Sequence, residues 1–232
     1  MSEARLLKHI AKGTRIVNNN LTFKPVIVGD SKGSRLKSLS TGSGIQFYCK
    51  GGATSTDTIA WLQRNIGKVV QQFGQIHIYL WIGTCDLTSK DGHYISLNPE
   101  SSIKKLKDNF SYIRDHYLTD KVHITFLQVP YYSIRIWNKL KGHKEPENFK
   151  NDDIILNERV NAINEFIDNL NSEINVYSPK FNLDLVRSRK SRKTTARYSW
   201  NFKLLPDGIH ASKKLSLSWL TSLVKNINSD CA

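Results

Sequence analysis

A serine and a histidine lie in two distant segments whose residue types together suit nucleophilic catalysis. Ser31 ends a Gly-Asp-Ser segment, and Asp207 and His210 stand three residues apart near the end of the chain. A serine hydroxyl needs a base within hydrogen-bond reach, and that base needs a carboxylate to orient it. The spacing lets Asp207 reach Nδ1 of His210 and leaves Nε2 free for Ser31. Each segment alone is also a common turn sequence, so the prediction depends on the fold that brings them together.

The elements that would position these residues alternate along the chain. Short apolar, β-branched runs predict five strands, at 25–28, 45–49, 76–82, 122–129 and 174–177. Helical spacing of apolar residues predicts helices at 55–73, 101–117, 152–171 and 212–227. Alternation of this kind predicts an α/β fold with a parallel sheet covered on both faces. In such sheets the carboxyl ends of the strands form the ligand-binding edge, and Ser31 follows the first strand.

Two further segments of small residues follow predicted strands. Gly51-Gly52-Ala53-Thr54 comes after the second strand, and Gly83-Thr84-Cys85-Asp86 comes after the third. Both place free backbone donors at the same sheet edge as Ser31, where they could stabilise a developing oxyanion.

These four segments, in this order, resemble the four signature blocks of the SGNH (GDSL-like) hydrolase superfamily. The resemblance covers the chain from about Val26 to the end of the last helix. It implies a three-layer α/β/α sandwich with a five-stranded parallel, flavodoxin-like sheet. We therefore expect a lead-in at 1–24, followed by a single hydrolase-like domain at 25–228.

The resemblance also implies residue roles and an activity. Ser31 would be the nucleophile, with Asp207 and His210 as its partners. The oxyanion hole would use the backbone N–H of Ser31, that of Gly52 or its neighbour Gly51, and the residue at position 85. The expected activity is that of a serine esterase or deacylase acting on a short, acetyl-type ester through an acyl-enzyme. No metal or organic cofactor is expected, because this chemistry needs neither.

Position 85 departs from the family pattern. The third block normally reads Gly-x-Asn-Asp, and here Cys85 replaces the asparagine whose amide donates to the oxyanion. A thiol is a weak donor, and the loss of one oxyanion donor costs about 10²–10³ in turnover. Thr84 or the predicted lid segment around Asn138 could supply a substitute donor, and catalysis could be weakened. A thiolate nucleophile at Cys85 is a lesser alternative, because Ser31 already has its partners.

The charge of the chain favours a polyanionic partner. The net charge is +14, and half of it lies in the acid-free segment 187–203, a predicted basic loop that leads into the catalytic segment. The basic residues are Arg187, Arg189, Lys190, Arg192, Lys193, Arg197 and Lys203. The alternative function is therefore a catalytically weakened SGNH scaffold that binds RNA or DNA through this basic face. A solvated loop and a nuclear-localisation address remain as other interpretations.

The segment 131–150 is predicted to be a lid, because long connections after a strand often cover a site. Tyr131, Tyr132 and Trp137 within it could line an acyl pocket. The odd number of cysteines and the absence of a signal-like apolar stretch predict an intracellular protein, cytoplasmic or nuclear, without a transmembrane segment. The histidines and cysteines show no metal-ligand spacing.

Overall fold

The computed structural model describes residues 3–191 and 194–232, with the backbone alone for 187–191 and 194–199. The strands are β1 (Lys24–Gly29), β2 (Gln46–Cys49), β3 (Ile76–Trp81), β4 (Thr88–Asp91), β5 (Tyr94–Leu97), β6 (Val122–Phe126), β7 (Val186–Ser191) and β8 (Thr194–Trp200). The helices are α1 (Glu3–Lys12), α2 (Ser31–Lys37), α3 (Ser55–Phe73), α4 (Thr84–Leu87), α5 (Ser101–Tyr117), α6 (Ile134–Leu140), α7 (Lys150–Glu173), α8 (Asn182–Leu185) and α9 (Lys213–Asp230).

A parallel sheet with the strand order β2-β1-β3-β6 forms the centre of the molecule. Helices α1, α2 and α9 pack together on one face, and α3, α5 and α7 pack together on the other. The side chains of β3 divide between the two layers, as alternation along a strand requires. Trp81 meets Trp219 of α9, whereas Leu80 lies beside Phe126, which packs edge-on against Phe110 of α5. The prediction of a three-layer α/β/α sandwich is confirmed.

The carboxyl ends of the three strands that precede the predicted blocks lie side by side. Gly29 of β1 is level with Cys49 of β2 and with Trp81 of β3. Hydrogen bonds continue past the strand ends, from Lys50 N–H to Gly29 C=O at 2.9 Å and from Asp30 N–H to Trp81 C=O at 3.1 Å. Because β1 and β3 are almost entirely buried, the residues that follow them start from fixed positions.

The predicted fifth strand at 174–177 is wrong, since the parallel sheet has four strands. Asn175 adopts a left-handed φ of 55°, which interrupts an extended backbone. Asparagine side chains of α7 replace the missing ladder, because a carboxamide carries one acceptor and a donor group as a peptide does. Asn171 accepts from Phe126 N–H at 3.0 Å and donates to Phe126 C=O at 2.8 Å, and Asn164 bonds Val129 in the same way.

Two antiparallel hairpins were absent from the sequence prediction. The β4–β5 hairpin turns at Gly92 and lies after the third predicted block. The described residues of the segment 187–203, predicted as a loop, instead lie in the β7–β8 hairpin and in a 3₁₀ turn at Phe202–Leu204. Threonine, tyrosine and tryptophan are frequent in residues 194–200, and these residue types favour strands.

The remaining elements follow the predicted pattern with shifts at their ends. Helices α3 and α5 have the predicted bounds, and β6 ends at Phe126, three residues earlier than predicted. The lead-in at 1–24 includes α1, which packs on α9 with Leu6 buried. In the predicted lid at 131–150, α6 is followed by a 3₁₀ turn, and residues 131–134 are buried in the core.

Candidate active site

The turn after β1 places Ser31 at the amino end of α2. Asp30 is the N-cap of this helix, and its carboxylate accepts a hydrogen bond from Lys32 N–H at 2.9 Å. This is the preferred chemistry for a helix start, since the first backbone donors lack partners within the helix. Ser31 is half-buried, whereas Asp30 is 1% exposed. The serine hydroxyl therefore lies at the sheet edge on a turn whose base is fixed in the core.

The structure brings together the three residues that the spacing selected. The Oγ of Ser31 lies 3.0 Å from Nε2 of His210, and Nδ1 of His210 lies 2.7 Å from Oδ2 of Asp207. An ionised carboxylate can only accept, so the proton of the imidazole belongs on Nδ1. Nε2 is then left as the acceptor for the Ser31 hydroxyl. This is the arrangement in which histidine acts as a general base toward serine.

The carboxylate of Asp207 is held in its ionised form. Burial raises its pKa, but hydrogen bonds from the His210 ring and from the backbone N–H groups of His210 and Ile209 outweigh burial and lower the pKa well below its usual range. The two backbone bonds measure 2.7 and 3.0 Å. Arg35 approaches the same carboxylate at 3.9 Å. Asp207 is thus a fixed negative charge that can stabilise a protonated His210.

The catalytic turn packs against α6. Gly208, between Asp207 and His210, has a φ of +85° and is buried. Its carbonyl oxygen accepts from Ser133 N–H at 2.8 Å. The ring of Trp137 lies 6.0 Å from that of His210, and its indole N–H donates to the carbonyl oxygen of His93 at 2.9 Å. Helix α6 therefore connects the turn of His210 to the β4–β5 hairpin.

The residues expected to form an oxyanion hole follow adjacent strands. Gly52 has a φ of +78° in a turn closed by a hydrogen bond from Ala53 N–H to Lys50 C=O at 3.2 Å. A positive φ at this turn position favours glycine. Cys85 lies in α4, directly after β3, and is half-buried. Ser31, Gly52 and Cys85 thus surround one sheet edge, and their role at an oxyanion stays a prediction.

The Cys85 side chain is a protonated thiol at neutral pH. Burial and the nearby Asp30 carboxylate raise its pKa to about 11, although the Lys32 ammonium acts in the opposite direction. A thiol nucleophile requires a lowered pKa, so the alternative of a Cys85 thiolate finds no support in this environment.

The candidate replacement donors have other partners. Asn138 is buried and bonds the backbone of Ile95 through both amide atoms, at 2.9 and 2.8 Å. The interpretation of Asn138 as a donor to the oxyanion is therefore wrong, because its amide holds the β5 strand. Thr84 instead accepts a hydrogen bond from Lys32 Nζ at 2.6 Å.

The two chain neighbours of Ser31 form a buried ion pair. The Lys32 ammonium contacts the Asp30 carboxylate, and their side chains are 5% and 1% exposed. The ammonium also lies 5.9 Å from the centre of the Trp81 ring. The sequence analysis missed Lys32. The signal was its spacing of four from the buried Leu36, which places both on one face of α2.

Asp86 is a second residue with a missed role. Its carboxylate accepts from the backbone N–H of Ser55 at 2.9 Å and from the Ser55 hydroxyl at 2.5 Å. This joins the block after β3 to the start of α3, directly behind the turn of Gly52. Burial raises the pKa of Asp86. Its position within the Gly-Thr-Cys-Asp segment was the available signal.

The aromatic residues of the predicted acyl pocket have different roles. Tyr132 is buried and donates to Thr84 C=O at 3.0 Å, which fixes the turn of Cys85. Tyr131 packs on Trp200 with ring centres 3.9 Å apart, so Trp200 anchors the base of the β7–β8 hairpin. Of the three, Trp137 contacts His210. His210, Lys32 and Arg35 are among the residues that line a narrow gap with no room for a water molecule.

Four of the six predicted polyanion-binding residues belong to the β7–β8 hairpin. Arg187, Arg189, Lys190 and Arg197 lie on its two strands, and Arg189 pairs with Arg197 across the ribbon. Arg192 and Lys193 lie outside the described residues. The base of the hairpin is closed by a hydrogen bond from Asn201 N–H to Leu185 C=O at 2.7 Å, six residues before Asp207. The 3₁₀ turn at Phe202–Leu204 thus connects the basic hairpin to the turn of Asp207 and His210.

Within residues 3–191 and 194–232, no group of three or more histidine, cysteine, aspartate or glutamate side chains is arranged to hold a metal ion. In the same part of the chain, no helix is both long and apolar enough to cross a membrane.

Comparison with solved structures places the architecture among known folds. In sequence, the chain matches no family model and no curated protein. In structure, it is similar to a GDSL-like lipase from Bacteroides thetaiotaomicron, with a TM-score of 0.61 at 12% identity, over 98% of this chain and 97% of that chain. The chain has the SGNH hydrolase fold.

Other SGNH structures agree with this assignment. A lipase/acylhydrolase from Enterococcus faecalis has a TM-score of 0.56 at 11% identity, over 90% of this chain and 98% of that chain. An acetyl xylan esterase from Geobacillus stearothermophilus has a TM-score of 0.52 at 12% identity, over 92% and 97% of the two chains. The fold predicted from four short segments is confirmed. At these identities the likeness establishes the SGNH fold alone, so an activity has to be argued from the site.

Proposed function

We propose that this chain is a serine ester hydrolase with Ser31 as nucleophile, His210 as general base and acid, and Asp207 as the orienting carboxylate. The observation that carries the proposal is the unbroken hydrogen-bond chain from Ser31 Oγ through the His210 ring to Asp207, at 3.0 and 2.7 Å. A scaffold without catalysis has no need for this geometry between residues 179 positions apart. The names of the structurally similar hydrolases are consistent with the proposal.

The reaction follows from the positions of the protons. Ser31 Oγ bonds to the acyl carbon while its proton moves to His210 Nε2, and the carbonyl oxygen becomes an oxyanion. The carbon–oxygen bond to the alcohol then breaks, and His210 returns the proton to the leaving alkoxide. Water then bonds to the acyl carbon while His210 takes one of its protons. The bond from that carbon to Ser31 Oγ breaks, and His210 returns the proton to Oγ, which releases the acid. Asp207 stays ionised throughout and stabilises the imidazolium.

The proposed substrate is a short-chain, acetyl-type ester. The gap beside His210 is too tight to hold a water molecule, so it offers no room for an acyl group. Larger cavities, of 670 and 460 Å³, are lined by other elements, the first by α5 with Phe166 and the second by the ends of α3 and α5. An acetyl group is the simplest choice, because it needs no tunnel of its own at the sheet edge beside Ser31.

The oxyanion hole we propose consists of the backbone N–H groups of Ser31 and Gly52, with the Cys85 thiol as a weak third donor. The order of the strands supports it, because β2 and β3 flank β1 at the edge where Ser31 lies. With a thiol in place of an amide, we expect turnover below that of an otherwise equal site by up to about 10²–10³.

The test is hydrolysis of acetyl, butyryl and octanoyl chromogenic esters by the wild type, Ser31→Ala, Ser34→Ala and Cys85→Asn. Ser34 is exposed on the same helix and is the matched control. We expect the wild type and Ser34→Ala to hydrolyse the acetyl ester fastest, Ser31→Ala to be inactive, and Cys85→Asn to be faster. Equal background rates for the wild type and Ser31→Ala with all three esters would contradict the proposal.

Polyanion binding through the basic hairpin is a second proposed function. One observation favours it: the hairpin continues into the catalytic turn and carries like charges at paired positions, with Arg189 opposite Arg197. Like charges opposite each other destabilise a two-stranded ribbon, and a polyanion would relieve that repulsion. Binding to RNA or DNA would use a surface adjacent to the triad, so both functions can coexist.

A further inference from the structure

One buried lysine connects the turn of the nucleophile to the turn of the expected oxyanion donor. The Lys32 ammonium contacts the Asp30 carboxylate and donates to the Thr84 hydroxyl at 2.6 Å. Asp30 and Lys32 are the two chain neighbours of Ser31, and Thr84 is the neighbour of Cys85. A shift of the Lys32 head group would therefore move both turns relative to each other.

The other contacts of these residues leave little freedom. Thr84 C=O accepts from the Tyr132 hydroxyl and from the Thr88 hydroxyl, each at 3.0 Å. Asp30 N–H is bonded to Trp81 C=O of the neighbouring strand. The lysine thus joins two turns that are each held by hydrogen bonds to other elements, and it sets the distance between them.

The location of this ion pair is unusual for a purely structural one. Buried ion pairs contribute little net stability, because the cost of removing both charges from water roughly cancels their attraction. The position of Lys32 faces Leu36 and the Trp81 ring, an environment in which an apolar side chain would pack well. A cation here needs another explanation, and its hydrogen bond to Thr84 provides one.

We propose that Lys32 is a positioning residue for ester hydrolysis, which holds the turn of Cys85 at the distance from Ser31 that the oxyanion requires. The inference rests on the proposed function. It explains how a chain with a weak donor at position 85 holds that donor at the correct position. The position of a donor contributes to catalysis independently of its strength. Lys32 acts through Thr84 and does not itself contact the reacting atoms.

The variants are chosen so that folding and positioning can be separated. Asp30→Asn/Lys32→Met removes both charges, keeps an N-cap at position 30 and nearly preserves side-chain volume. Thr84→Val removes the acceptor of Lys32 and leaves the ion pair in place. Lys37→Met, exposed on the same helix, is the control for loss of a positive charge. Circular dichroism and the urea midpoint verify that each variant is folded.

Two readouts are measured for each variant. The first is kcat and KM for the acetyl ester. The second is the rate at which a fluorophosphonate labels Ser31, located by mass spectrometry, which needs no turnover. We expect the charge-free pair and Thr84→Val to lower both kcat and the labelling rate by about tenfold or more, with KM within about threefold, since the lost interaction acts in the transition state. Lys37→Met should match the wild type.

A double-mutant cycle with Cys85→Asn distinguishes positioning from a general structural effect. If Lys32 positions residue 85, Cys85→Asn accelerates hydrolysis in the wild-type background. In the Asp30→Asn/Lys32→Met background, the same substitution should raise the rate by no more than about twofold. Equal gains in both backgrounds, or unchanged labelling of Ser31 in the folded charge-free pair, would overturn the inference while the proposed function stands. Absence of both hydrolysis and Ser31 labelling in the wild type would instead reject the proposed function.

Discussion

The carbonyl oxygen of Gly208 accepts a hydrogen bond from the backbone N–H of Ser133 at 2.8 Å. This bond joins the turn of Asp207 and His210 to the start of α6. The contact is possible because residue 208 has no side chain. A Cβ at this position would lie 2.8 Å from Ser133 O and 2.9 Å from Trp137 N. The position of His210 thus depends on a glycine that touches two backbone atoms of another element.

We expect Gly208→Ala to displace the catalytic turn. Gly142→Ala is the matched control, because Gly142 has nearly the same φ, +82° against +85°, with open space around it. Both variants incur the cost of a positive φ, about 1–2 kcal/mol. Gly208→Ala adds overpacking of about 1–3 kcal/mol and lowers kcat. The measurement is urea unfolding with esterase kinetics, and equal losses in both variants would contradict this account.

We expect Asn171→Leu to destabilise the protein strongly. The change leaves the N–H and C=O of Phe126 without partners at the outer edge of β6. Each buried unsatisfied group costs about 1–3 kcal/mol, so a loss of about 2–5 kcal/mol is expected in urea unfolding. Asn169→Leu, exposed on the same helix, is the control and should change stability by less than about 0.5 kcal/mol.

The same asparagines explain which part of the fold could be predicted from sequence. Apolar runs and helical spacing located the four parallel strands and the long helices because burial of a face produces those patterns. The run at 174–177 is apolar enough for a strand. However, Asn171 already bonds the outer backbone groups of Phe126 at the end of β6, and Asn164 bonds those of Val129 just beyond it. A side chain that makes the hydrogen bonds of a missing neighbouring strand produces no periodic pattern in the sequence. The β4–β5 hairpin was equally hard to see, since its strands are four residues long.

Some residues of the candidate site could likewise be predicted from the sequence, and others could not. Ser31, Asp207 and His210 could be predicted to meet because four short segments in order resemble the SGNH blocks, and because the spacing of three lets Asp207 reach His210. Lys32 could not be assigned a partner from the sequence, because Thr84 is 52 residues away along the chain. The two meet because the start of α4 lies next to the first turn of α2. Asn138 had a suitable amide, yet its contact with Ile95 depends on a hairpin that was not predicted.

The low pKa of Asp207 predicts a specific pH dependence of stability. Its folded-state pKa is below the unfolded value of about 3.9, so its contribution is fully present above that pH and is lost as the pH falls through the folded pKa. Asp207→Asn should therefore be less stable than the wild type at pH 7, and the difference should shrink below about pH 4. Urea unfolding over this pH range measures it, with the exposed Asp91→Asn as control.

The same variant tests the role of Asp207 in catalysis. An asparagine at this position keeps the shape but favours the wrong imidazole tautomer, and in serine hydrolase triads this costs about 10⁴ in kcat. We expect a loss of that order for the acetyl ester. A loss below about tenfold would show that His210 is oriented by other groups.

Binding of a polyanion to the basic hairpin should depend on its own charges and not on the net charge of the protein. A variant with four charges fewer in the hairpin has glutamine in place of Arg187, Arg189, Lys190 and Arg197. The matched control removes the same number from exposed lysines on other elements: Lys12, Lys68, Lys121 and Lys225. Fluorescence anisotropy with a single-stranded oligonucleotide of about 20 residues is measured between about 50 and 200 mM salt.

If the hairpin neutralises phosphates, the slope of log K against log salt should fall by up to about 3 in the hairpin variant, at about 0.7 for each lost phosphate contact. The control should keep the wild-type slope, because its lysines lie away from the proposed surface. Equal losses in the two variants would mean that binding follows total charge. The proposal of a polyanion surface next to the triad would then fail. That proposal depends on the short connection from β8 through the 3₁₀ turn at Phe202–Leu204 to the turn of Asp207, which would bring a bound strand to Ser31.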